Sequence, residues 1–217
     1  MIIVDKLVSD SILELVPKTV EHIFAGKAAR NHHIPQDIIN ALLIKQAGLG
    51  KKVIRLKGGY PFVFGRGGEE ALHLAKNAIP FVFVPGITSS VGCAYYAGIP
   101  LTHRGLSHGV RFVTGHAQDG LNLGVNWKSL ADPDTTLVIY MGLTHIKRIA
   151  NELISAGLPH DHPTAAINMG KLAEQRVIKA YLSSISNKID EAKLRGATLI
   201  IIGRVVNLSG KPSWFEP

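Results

Sequence analysis

The sequence predicts an α/β protein of two small domains. Short β-branched runs alternate with helical segments along the whole chain, the pattern of a largely parallel sheet covered by helices. The 217 residues are 46% hydrophobic, enough to fill two cores. A stretch from His116 to Trp127, rich in Gly, Asn and Asp, marks a boundary. We therefore expect an N-terminal domain over 1–115 and a C-terminal one over 116–217.

In chain order, a helix is expected near Asp10 to Val16, and a second over Pro35 to Ala47, where Pro35, Gln36 and Asp37 suit a first turn. Lys52 to Leu56 reads as a strand, Gly67 to Lys76 as a helix, and Pro80 to Val84 as a strand. Ser89 to Ala97 is helical. Strands follow at Val110 to Thr114 and Thr136 to Met141, then a helix at Thr144 to Ala156. Strands at Thr164 to Asn168 and Arg176 to Leu182 precede a last helix, Ser184 to Leu194, with Ser184 and Ser186 as caps. Thr198 to Val206 is the final strand. The uncharged run from Ala78 to Leu101 is long enough to span a bilayer, but Pro80, Pro85 and Pro100 interrupt it, so no membrane span is expected. The start lacks the flanks of a signal peptide, which points to the cytoplasm.

Twenty-four Lys and Arg against sixteen Asp and Glu give a net charge of +8, which favours an anionic partner. The basic residues are scattered and aromatics are few, so nucleic acid is not the expected partner; a polycarboxylate or phosphate fits better. Cys93 is the only cysteine, which excludes an internal disulfide and fits a reducing compartment. The ten histidines include His32-His33 and His160-x-His162, without a third ligand nearby, and no metal site is expected.

The most informative segment runs Arg55-Leu56-Lys57-Gly58-Gly59-Tyr60-Pro61-Phe62-Val63-Phe64-Gly65-Arg66-Gly67-Gly68-Glu69-Glu70, a strand that passes through a glycine-rich loop into a helix. Gly58 and Gly59 have no Cβ to keep a ligand from the main chain. The spacing matches neither Gly-x-Gly-x-x-Gly nor a Walker loop, so nucleotide phosphates are not the first reading.

This loop resembles the Gly-Gly-Asp-Pro-Phe-Val-Phe-Gly-Arg-Gly-Gly-Glu-Glu signature of the uroporphyrinogen-III C-methyltransferases, within the tetrapyrrole methylase family, with Tyr60 in place of the aspartate. The likeness continues through Val84-Pro85-Gly86-Ile87-Thr88-Ser89, Ala97-Gly98-Ile99-Pro100-Leu101-Thr102-His103-Arg104 and Val113-Thr114-Gly115-His116. It extends over Val138-Ile139-Tyr140-Met141-Gly142, Glu174-Gln175-Arg176-Val177 and Trp214-Phe215. Family sequences open with a strand and a Gly-x-Gly-Pro-Gly-Asp-Pro loop, and the chain as given starts beyond them.

The resemblance implies the two-domain tetrapyrrole methylase fold with a cofactor cleft between the domains. It also implies a homodimer that uses S-adenosylmethionine to methylate uroporphyrinogen III, by way of precorrin-1, to precorrin-2 for siroheme, cobalamin or heme d1. A polycarboxylate macrocycle would account for the positive charge. Alternative readings are a tetrapyrrole-binding homologue without turnover and a methylase of a later precorrin.

By the same resemblance Asp5 is a proton acceptor and Lys27 a proton donor; without it, Asp5 reads as a surface or capping charge and Lys27 as a solvated one. Arg66 and Glu69, three apart at a helix start, either hold a substrate carboxylate and assist proton transfer or pair with each other. The implied cofactor contacts are Gly58, Gly59, Tyr60, Val63, Thr88, Ser89, Met141 and Gly170. Their plainer roles are turn formation, helix capping and core packing.

Overall fold

A computed structural model describes residues 1–26, 34–116 and 123–210. The chain forms two compact units, Met1–Thr88 and Ser89–Pro217. In the first, β1 (Ile2–Val4) lies between β2 (His22–Phe24) and β3 (Ile54–Leu56), and both pairings are parallel. All three residues of β1 are buried, as expected of a central parallel strand covered on both faces. A single helical turn, α1 (Asp10–Leu13), links β1 to β2. Helix α2 (Gln36–Gly48) presents Ile39 and Leu43, one turn apart, to Ile3 and Ala25. Helix α3 (Gly67–Lys76) follows the glycine-rich loop.

The run Pro80 to Val84 is not a strand, contrary to expectation. A strand exists by pairing with a neighbour, and among the described residues none pairs with this segment. Val82 is 90% exposed and Val84 81%, while Phe83 leans on Phe62 with ring centres 4.5 Å apart.

The second unit holds α4 (Ser89–Tyr96), β4 (Gly109–Thr114), α5 (Trp127–Leu130), β5 (Thr135–Tyr140), α6 (Ile146–Ser155), β6 (Pro163–Asn168), β7 (Arg176–Tyr181), α7 (Ile185–Glu191) and β8 (Thr198–Ile202). Its five strands run in the order β4-β5-β8-β6-β7. Only β4 and β5 are parallel; β8 runs against both β5 and β6, and β6 against β7. The expectation of a largely parallel sheet therefore holds for the first unit alone. The link from β6 to β7 is too short for a crossover helix, and a hairpin results.

Ile146, Ile149, Ala150 and Leu153 repeat at helical spacing on α6 and pack with Ile185, Ile189, Ile200 and Ile202. The expected strand from Thr198 to Val206 ends at Ile202, and a short 3-10 helix over Arg204–Leu208 follows. The Ser184 hydroxyl donates to the Tyr181 carbonyl and does not cap α7.

The division falls between Thr88 and Ser89, ahead of the His116 to Trp127 stretch expected as the boundary, of which residues 117–122 lie outside those described. The intervening segment packs on the second sheet: the Ser90 amide donates to Tyr140 Oη, and Thr136 Oγ1 donates to Ser107 Oγ. Among the described residues no helix is long and apolar enough to cross a membrane.

His162 is 4% exposed and precedes β6. Burial, and secondarily the Arg204 guanidinium, hold its pKa below the ordinary 6.5. The unfolded chain thus takes up this proton more readily than the folded one. The resulting stability is fully present above about pH 6.5 and is lost as pH falls through the lowered folded value. Urea midpoints measured at pH 7.5 and 5.5 are expected to fall further in the native chain than in His162→Gln. Equal falls would rule this out.

Candidate active site

Parallel α/β sheets place ligands at the carboxyl ends of their strands, and there the first unit gathers its candidates. Asp5 follows β1, and its amide donates to the Leu56 carbonyl at 2.9 Å. That bond ties the end of β1 to the end of β3. Lys57, Gly58 and Gly59 come next on the β3 side, and both glycines are exposed.

A Cβ at Gly58 would sit 3.2 Å from the Leu7 carbonyl oxygen, and one at Gly86 only 2.2 Å from that of Gly59. Only a residue without a side chain lets the two segments cross at Gly86. Gly59 itself has φ +77°, which again favours glycine. Beyond it, Val63 donates its amide to the Tyr60 carbonyl at 3.1 Å, and Tyr60 meets Phe62 edge-on. Thr88, half-buried, ends this unit.

Arg66 stands before α3 in the left-handed region, φ +59°. Its Nε and Nη2 donate to the two carboxylate oxygens of Glu69 at 2.9 and 2.6 Å. This bond raises the pKa of Arg66 and lowers that of Glu69. Both side chains are about half exposed, so the pair is weak in water, on the order of 0–1 kcal/mol. It can open to a carboxylate ligand at small cost. Lys27 lies outside the described residues.

The structure adds four residues to which the sequence assigns no role at the site: Arg55, Lys57, Glu70 and Gln36. Arg55 Nη2 lies 3.5 Å from Asp5 Oδ1, while its Nε donates to Glu70 Oε1 at 3.1 Å. Lys57 Nζ and Gln36 Nε2 donate to the same Glu70 oxygen, each at 3.1 Å. The available signal was the i, i+2 spacing of Arg55 and Lys57, which sets both on one face of a strand.

In the second unit β5 and β6 each run against β8, so they end at the same edge. Met141 and Gly170 follow them there. Met141 is exposed with φ +54°, and Met169 has φ +50°. Such conformations are costly for residues with side chains and concentrate at functional positions. Ser89 opens α4, which the bond from the Ser90 amide to Tyr140 Oη ties to the end of β5. On the same helix Cys93 fills the space beside Gly170, where a Cβ would lie 2.5 Å from Sγ. Burial pushes the Cys93 thiol above its usual range, so it is not a ready nucleophile. Ser89, Met141 and Gly170 thus share one sheet edge.

Residues 1–186 match the family model described as Tetrapyrrole (Corrin/Porphyrin) Methylases. The chain belongs to the tetrapyrrole methylase family. Over 216 residues the chain is 48% identical to a siroheme synthase of Methylococcus capsulatus and 47% to one of Pseudomonas aeruginosa. The match takes in 100% of the chain but 46% of each relative, so the chain spans about half the length of the curated relatives it matches.

Among solved structures, the chain is similar to the uroporphyrin-III C-methyl transferase of Thermus thermophilus complexed with S-adenyl homocysteine. The TM-score is 0.80 at 35% identity, covering 95% of this chain and 86% of that one. A cobalt precorrin-4 methyltransferase, also at a TM-score of 0.80 but with 19% identity, shares the fold.

Proposed function

We propose that the methylase transfers methyl groups from S-adenosylmethionine to pyrrole carbons of uroporphyrinogen III, as a homodimer. The product is precorrin-2, reached through precorrin-1, for siroheme, cobalamin or heme d1. The observation that carries this reading is the 35% identity over 95% of the chain with a uroporphyrin-III C-methyl transferase complexed with S-adenyl homocysteine.

Features of each unit support that cofactor. Exposed Gly58 and Gly59 offer main-chain amides unobstructed by side chains, and Gly86, without a Cβ, lets its segment cross at the Gly59 carbonyl. Tyr60 and Val63 follow in the same loop. The first unit ends with the Thr88 hydroxyl; in the second, taken by itself, Ser89 offers a hydroxyl and Met141 an exposed thioether surface near Gly170. When bound, the cofactor supplies an electrophilic methyl group on its sulfonium.

The chain supplies orientation and proton handling. Methyl transfer requires the pyrrole carbon to approach to about 3–3.5 Å in line. Arg66, released from Glu69, grips a substrate carboxylate through paired N–H donors. The Asp5 carboxylate accepts the one proton that the macrocycle sheds for each methyl gained, and where ring hydrogens rearrange Lys27 gives one proton for each further proton removed.

Incubation with uroporphyrinogen III and methyl-labelled S-adenosylmethionine is expected to place label in precorrin-2. Label entering only later precorrins would overturn the substrate assignment. Tight binding of S-adenosylhomocysteine with no label in any tetrapyrrole would overturn the catalytic one.

A further inference from the structure

We infer that Glu70 is a positioning residue for Asp5, acting through Arg55; this rests on the reading of Asp5 as proton acceptor. Glu70 and Glu69 are neighbours with opposite fates. Glu69 is half exposed and paired with Arg66, whereas the Glu70 side chain is 4% exposed, on the inward face of α3. One of its oxygens receives three donors: Gln36 Nε2 from α2, and Arg55 Nε and Lys57 Nζ from β3 and its end.

This cluster is larger than packing requires. Burying ions costs free energy, and an apolar trio of the same volume would hold α3 against the sheet at least as well. Two cations also share a single buried carboxylate, which leaves a local surplus of one positive charge. Asp5 balances it: its carboxylate lies 3.5 Å from Arg55 Nη2, and it is the more open acid of the cluster, with 35% side-chain exposure.

The geometry of Arg55 makes the link directional. Its Nε is held by Glu70, and its Nη1 donates to the Ile3 carbonyl at 3.3 Å. Two anchors fix the guanidinium plane, and the remaining nitrogen faces Asp5. The Asp5 main chain is fixed separately by its amide bond to Leu56. Glu70 thereby sets where the Asp5 oxygens point without touching substrate or cofactor.

The test is a double-mutant cycle on methyl transfer, with Glu70→Gln and Arg55→Lys each made in the native chain and in Asp5→Asn. Arg55→Lys keeps the charge but has one nitrogen and cannot serve Glu70, Ile3 and Asp5 together, so it carries the test should Glu70→Gln fail to fold. In the native background each substitution is expected to lower kcat roughly ten- to a hundredfold. KM for the tetrapyrrole and the S-adenosylhomocysteine Kd should stay within about twofold, and in Asp5→Asn the further loss should vanish. An equal loss in both backgrounds, or a Kd that rises with the loss of kcat, would overturn the positioning role while leaving Asp5 in place. An Asp5→Asn chain at full rate would overturn the proton-acceptor reading and the positioning role with it.

Discussion

Exchanging Asp5 for asparagine is expected to slow methyl transfer by roughly 10²–10⁴-fold, with little change in folding or in S-adenosylhomocysteine binding. The substitution keeps the shape of the side chain. Asparagine still presents an oxygen to Arg55 Nη2, and the amide bond to Leu56 belongs to the main chain, so the strand ends stay joined. What is lost, on the proposed role of Asp5, is the ability to take up a proton from the macrocycle. Single-turnover transfer from labelled cofactor reads the chemical step directly, and calorimetry reads binding. A variant within about threefold of the native rate would remove Asp5 from the chemistry.

The second large effect is structural. Leu153→Ala is expected to destabilise the second unit by about 2–5 kcal/mol, the range for truncating a fully buried leucine. Leu153 is 0% exposed in the core that also holds Ile149, Leu158, Ile185 and Ile200. Two sheet strands and two helices limit how far the surroundings can collapse into the gap. Thermal unfolding followed by circular dichroism should show the midpoint falling by roughly 3 °C per kcal/mol for a chain of this size. A loss under about 1 kcal/mol would mean that this core is not packed as described.

Most elements of the second unit were legible because their runs are long enough to show a period. β5 and β6 are six residues long and α6 is ten, and their observed limits lie within two residues of those expected. The first unit was harder to read. Its strands are three residues long, and His22–Phe24 is too short and too polar at its start to stand out. Pro80 to Val84 shows the opposite failure: the residues favour extension, but pairing is a property of neighbours far along the chain, which local preference does not encode.

The candidate residues divide in the same way. Gly58, Gly59, Arg66 and Glu69 announce themselves by their motif. Arg55 and Glu70 do not, since nothing in the sequence says that one glutamate of a pair turns inward while the other faces water. The roughly 100° rotation between successive helix positions decides it, and only the packing of α3 fixes the phase. The order of strands, with a late one inserted between two earlier ones, was likewise invisible to local patterning.

That insertion governs when the second unit can come into being. Strand β8 is the last to emerge during synthesis, yet it bonds to β5 on one side and β6 on the other. Before Thr198 is made, the nascent polypeptide holds two detached ribbons, β4 with β5 and β6 with β7, and a two-stranded ribbon is marginal in water. Closure of this sheet is therefore a late event, in which five residues join halves made separately.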